Sequence, residues 1–88
     1  MIINIKDLKN KIIYRANYRG TKEMDKLLGS FTNIYINQLS EEELPLLCDL
    51  LDHDDENLYK LNRGQLTTIK IESNKIIELF KNYEFVSK

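Results

Sequence analysis

Thr21-Lys22-Glu23-Met24-Asp25-Lys26-Leu27-Leu28-Gly29-Ser30-Phe31-Thr32-Asn33-Ile34-Tyr35-Ile36 is the stretch whose pattern decides the fold. Its apolar residues Met24, Leu27, Leu28, Phe31 and Tyr35 recur at i, i+3, i+4, i+7 and i+11, which gathers them on one stripe of a helix about 100° wide. A strand would scatter the same residues over both faces. The segment therefore predicts an amphipathic helix from Thr21 to about Ile36, and its apolar stripe needs other helices to cover it.

Working outward, Ile5, Leu8, Ile12, Ile13 and Ala16 repeat at the same spacing with lysines between them, predicting a first helix from Ile5 to about Asn17. On the other side, Ser40 followed by Glu43 reads as a capping box opening a third helix that runs to about Leu51. That helix is apolar around much of its circumference through Leu44, Leu46, Leu47, Cys48, Leu50 and Leu51, so it should be central. Pro45 has no N–H to give to Glu41, which predicts a kinked or delayed start. Asp54 or Asp55 can cap a fourth helix through Leu58, Tyr59 and Leu61, with Arg63-Gly64 as its stop. Ser73 can cap a fifth helix using Ile76, Ile77, Phe80 and Tyr83. Leu66 to Glu72 alternates like a strand, yet only Ile2 to Ile5 could pair with it. A lone two-stranded ribbon is marginal, so the segment reads as an extended loop packed on helices, with a small α+β fold as the alternative. The expected architecture is all-α: a small antiparallel bundle of about five helices in a single domain, residues 1–88.

Eighty-eight residues with 42% hydrophobic content can bury one modest core. No run approaches the ~20 apolar residues of a membrane span, and the start lacks a basic and apolar leader pattern. The single Cys48 has no disulfide partner in the chain, and with the lone His53 it makes a zinc site only if carboxylates or another chain contribute. These features suggest a reducing, cytoplasmic setting without membrane insertion. Charge is uneven: residues 1–29 hold seven Lys/Arg and three Asp/Glu, residues 30–59 hold eight acids and no Lys/Arg, and residues 60–88 hold six bases and three acids. Such mixed patches favour a polar protein partner over nucleic acid.

Between the first two helices lies Tyr18-Arg19-Gly20-Thr21-Lys22-Glu23-Met24-Asp25, followed by Leu27-Leu28-Gly29-Ser30-Phe31. The run resembles the R-G-x-x-E signature of the succinate dehydrogenase assembly factor family, SdhE in bacteria. Its setting resembles that family too: a basic helix before it, the acidic Leu-Ser-Glu-Glu-Glu entry of a third helix after it, and the acidic, aromatic run Leu50-Leu51-Asp52-His53-Asp54-Asp55-Glu56-Asn57-Leu58-Tyr59. Together these cover most of residues 5 to 84. Two positions depart from the family pattern. Tyr18 stands where a second basic residue is frequent, and Leu61 where an aromatic is frequent.

The resemblance implies a helper that binds the flavoprotein subunit of succinate dehydrogenase, of fumarate reductase or of both, and promotes covalent attachment of FAD. It implies no catalysis and no stably bound cofactor: the FAD is held by the partner, whose own histidine attacks the flavin methyl. Carried over residue by residue, the partner-binding set is Arg19, Gly20 and Glu23, with Tyr18 and Asp25 beside them.

On physical grounds Gly20 can adopt a left-handed conformation and let another backbone approach. The Arg19 fork can grip a carboxylate or carbonyls, and Glu23 lies at the positive end of the second helix. The plainer alternative stays open, with Gly20 only a helix C-cap and Arg19–Glu23 only an i, i+4 surface pair worth ~0.5 kcal/mol or less. Cys48 reads as a core thiol and His53 as part of a solvated capping turn. No phosphate loop, nucleophile elbow or H-E-x-x-H motif supports an enzyme. The rival functions are a generic helical adaptor and a helix-turn-helix nucleic-acid module using the basic first 29 residues.

Overall fold

The computed structural model describes residues 4–84, and within them the chain forms five helices and no strand. They are α1 (Ile5–Asn17), α2 (Lys22–Tyr35), α3 (Leu44–Leu51), α4 (Asp55–Asn62) and α5 (Lys75–Lys81). Each start has a local cause. Asn4 accepts the N–H of Lys6 at 3.0 Å and of Asp7 at 3.4 Å, Thr21 Oγ1 accepts Met24 N–H at 3.2 Å, and Asp54 Oδ1 accepts Asn57 N–H at 3.1 Å.

Two caps differ from the sequence expectation. At α3 only half of the capping box forms: Glu43 Oε1 accepts the N–H of Ser40 at 2.8 Å, while Glu43 itself is the N-cap and its side chain accepts no N–H from the first turn of the helix. Residues 41–43 form a turn, and the helix begins at Leu44. Pro45 then falls in the first turn, where its missing N–H would have had no helical partner, so the delayed start removes the conflict. At α5 the cap is Asn74, whose Oδ1 accepts Ile77 N–H at 2.9 Å, and Ser73 instead donates its hydroxyl to Glu78 Oε2 at 2.7 Å. The better-placed amide oxygen takes the capping role one residue later.

The helices close around a single core. α1 packs on α2 and α3, and α5 closes on α3 and α4. Phe31 is fully buried at the centre, with its ring 4.8 Å from Tyr35, 5.1 Å from Phe80 and 5.3 Å from Tyr83. Leu28, Leu44, Leu47, Leu50, Leu51, Leu58 and Ile76 fill the space around it. Cys48 is half-buried against this core, and burial pushes its thiol upward despite the opposing charge of Arg15, in keeping with a packing role.

Residues 66–72 form an extended loop. The buried Asn57 holds it, its Oδ1 accepting the N–H of Thr68 at 2.8 Å and the Thr68 hydroxyl at 3.0 Å. Ile71 turns toward the core, whereas Leu66 and Ile69 face outward, so the loop is pinned at points and not packed along its length. Ile5 begins α1, and Ile2 and Ile3, the other residues of the imagined strand partner, lie outside the described residues.

Candidate functional site

The connection between α1 and α2 is four residues long, Tyr18 to Thr21, and its shape comes from three local devices. Tyr18 leaves the helix with φ −129° and ψ 65°. Gly20 has φ +119°, a region side chains rarely enter. Thr21 is extended and caps α2. A Cβ placed on Gly20 would meet nothing within 4 Å, so glycine is required by backbone conformation and not by crowding inside the chain.

Arg19 ties this connection to the other side of the molecule. Its side chain is only 12% exposed. Nε donates to Asp55 Oδ1 at 2.9 Å, Nη1 to the Leu51 carbonyl at 2.7 Å, and Nη2 to the His53 carbonyl at 2.7 Å. Leu51 is the last residue of α3 and Asp55 the first of α4. The guanidinium thus satisfies carbonyls at the negative end of α3 while pairing with a carboxylate in the first turn of α4. Its own backbone is held from the front, where Asp25 Oδ1 accepts the N–H of Arg19. The sequence suggested a fork free to grip a partner. In the fold three of the fork's five N–H donors serve the chain itself, and the cation pairs with Asp55 and not with Glu23.

A second arginine runs parallel to it. Arg15 Nη2 reaches Asp52 Oδ1 at 2.5 Å, with both side chains well exposed, so this pair contributes little. Together the two pairs explain part of the uneven charge along the chain: the basic first third and the acidic middle third meet across the seam between α1 and the α3–α4 turn.

The remaining members of the sequence-derived set stand at the surface. Gly20 and Glu23 are exposed, and Tyr18 is 69% exposed with its ring 4.6 Å from that of the equally open Tyr14. Asp25 is half-buried and borders a groove of about 290 Å³ lined by Asn17, Asp25, Lys26, Gly29, Ser30 and Asn33. The fold therefore brings all five residues to one edge but divides them: Tyr18, Gly20 and Glu23 face outward, Arg19 and Asp25 hold the connection in place. Asp55 and the carbonyls of Leu51 and His53 belong to the same unit and were not singled out by sequence. The doublet Asp54-Asp55 carried a signal, because one aspartate suffices to cap α4 and the other is left over. Among the described residues no group of three or more His, Cys, Asp or Glu could hold a metal ion, and no helix is long and apolar enough to cross a membrane.

Fold and edge together define a small all-helical protein with an R-G-x-x-E connection gathered at one end of its first hairpin. The chain belongs to the family described as flavinator of succinate dehydrogenase, whose model matches residues 10–84. It is 36% identical over 58 residues to a protein of Dictyostelium discoideum named succinate dehydrogenase assembly factor 2, mitochondrial, covering 66% of this chain and 41% of that protein. Proteins of the same name from Lodderomyces elongisporus (32% over 75 residues, 81% of this chain and 46% of the relative) and Scheffersomyces stipitis (39% over 49 residues, 56% and 33%) are also similar. The chain spans less than half the length of these curated relatives. No solved structure matches it significantly. The names correct one expectation. One cysteine and the pattern at the start of the chain suggest a cytoplasmic setting, whereas the relatives are named as mitochondrial proteins, and composition does not distinguish two reducing compartments.

Proposed function

We propose that this chain binds the flavoprotein subunit of succinate dehydrogenase and promotes covalent attachment of FAD to it, without itself being an enzyme. The observation that carries this reading is the outward exposure of Gly20 and Glu23 within the R-G-x-x-E connection of a chain of the flavinator family. Gly20, exposed and lacking a side chain, lets a partner backbone come close. Glu23, exposed in the first turn of α2, offers an acceptor next to the N–H groups that begin that helix. The Tyr14–Tyr18 pair adds aromatic surface, of the kind enriched at protein interfaces, along the same edge. FAD stays with the partner throughout. The groove beside Asp25, at about 290 Å³, falls at or below the range of ~300–1,000 Å³ usual for small-molecule pockets, which favours a protein surface over a cofactor pocket at this edge. The chemistry of flavin attachment then belongs to the client, and the helper stabilises the client conformation in which it occurs. The flavoprotein of fumarate reductase is a second client in the same reading.

The test is co-expression with the client subunit, reading covalent flavin as fluorescence on a denaturing gel. The expected result is a clear rise when the chain is present, lost on Glu23→Ala and on Gly20→Arg, with both variants remaining helical by circular dichroism. Equal fluorescence with and without the chain overturns the function. Unfolding of both variants overturns the assignment of the edge.

A further inference from the structure

Arg19 belongs to the partner-binding set read from the sequence, yet its guanidinium points into the molecule, and that contrast carries an inference beyond the proposed function. We infer that Arg19 acts as a positioning residue, through a clamp with Asp55 and the carbonyls of Leu51 and His53, that sets the geometry in which Gly20 and Glu23 meet the flavoprotein. This rests on the reading of the edge as the docking surface.

The geometry leaves little else for Arg19 to do. Its three bonds, at 2.7 to 2.9 Å, reach across 32 to 36 residues of sequence to both ends of the α3–α4 turn. Asp25 fixes the peptide N–H of the same residue from α2. Arg19 is therefore held at backbone and side chain by different helices, and Gly20 is the next residue. A glycine with φ +119° is free to explore many conformations once its neighbour is released. Holding Arg19 removes that freedom before a partner arrives, and an edge ordered in advance binds tighter because less ordering remains to be done on contact. By the same logic, Asp55 determines partner affinity without touching the partner. A lysine cannot replace the arginine, since an ammonium lacks the planar fork that serves three acceptors at once.

The experiment measures affinity of the full chain for the purified, FAD-loaded flavoprotein subunit, at a temperature where circular dichroism shows wild-type helicity and with affinity referred to the folded fraction. The expected outcome is a loss of about tenfold or more for both Asp55→Asn and Arg19→Lys. The double variant should be no weaker than the worse single one, because each breaks the same clamp. Asp55→Glu, which retains the charge and can still reach the guanidinium, should recover affinity that Asp55→Asn loses. If Arg19 instead contacted the partner directly, Asp55→Asn would release the fork and leave affinity unchanged or raised. That result overturns the clamp while leaving the proposed function intact, provided Glu23→Ala still loses binding. If Glu23→Ala and Gly20→Arg bind like the wild type, the docking edge itself fails, and the clamp with it.

Discussion

The dipeptide Arg-Gly occurs twice in this chain, at Arg19-Gly20 and at Arg63-Gly64, each time at the end of one helix and the start of a connection to the next. Both glycines have positive φ, +119° and +71°. The surroundings differ. Gly64 completes an ordinary helix stop, with its N–H on the Leu61 carbonyl at 3.2 Å and the N–H of Gln65 on the Lys60 carbonyl at 2.8 Å, the paired bonds of a Schellman motif. Arg63 is exposed and lies over its own helix's Tyr59 ring, 4.8 Å from the centroid. Arg19 crosses to a different pair of helices and is nearly buried. The same two residues serve as local punctuation in one place and as a tertiary joint in the other. What separates them is the company that the arginine keeps.

Stability should express this contrast first. Arg19→Ala leaves Asp55 without its cation and two carbonyls without a donor, and charged hydrogen bonds of this kind contribute about 1.5–3 kcal/mol each in favourable cases. Urea denaturation should show a loss of about 2–4 kcal/mol for Arg19→Ala, against about 1 kcal/mol or less for Arg63→Ala, which removes an exposed cation–π contact. Equal losses would break the distinction. The glycines should behave more alike, because neither has a neighbour within 4 Å of an added Cβ and each substitution meets only backbone strain. Gly20→Ala and Gly64→Ala should each cost roughly 1–2 kcal/mol by thermal unfolding. Only the first should also reduce flavin attachment.

Acid should act on the second connection with the smallest effect. Glu78 is held below its ordinary range by the Ser73 hydroxyl and by Lys81, and Glu43 by its bond to Lys75 at 2.6 Å and by the Ser40 N–H. Both residues secure the start of α5. Their folded-state values lie below the unfolded ones, so their contribution is complete above the ordinary glutamate value of ~4.3 and is lost as pH falls below it. The melting temperature should decline on acidification, and Glu78→Gln combined with Glu43→Gln should flatten that decline. An unchanged slope would show that other carboxylates dominate.

Much of this was legible beforehand. The stripe from Met24 to Tyr35 and the spacing of Ile5 to Ala16 located α1 and α2 to within a residue, because a helix records its buried face locally in the sequence. That the five residues of the R-G-x-x-E run sit together at the α1–α2 connection was legible as well, since the run is contiguous. What could not be read was the direction of one side chain. Arg19 has acceptors at Leu51, His53 and Asp55, two of them backbone carbonyls that any residue type would supply, so no pattern in the sequence marks them. Competition between adjacent polar residues was equally hidden. Ser73 and Asn74 could each cap α5, as Asp54 and Asp55 could each cap α4, and only the packed geometry assigns the roles.

The distance of the Arg19 clamp along the chain also sets an order of events. Helical hairpins such as α1–α2 can form from neighbouring residues, but the bonds from Arg19 close only after the α3–α4 turn has docked against them, which adds the entropy of a loop more than thirty residues long. The edge proposed to meet the client is therefore finished late, when most of the core is already in place. A half-folded chain has its motif in sequence but not in shape, and under the proposed function it stays silent toward its client until the whole molecule has been checked by its own folding.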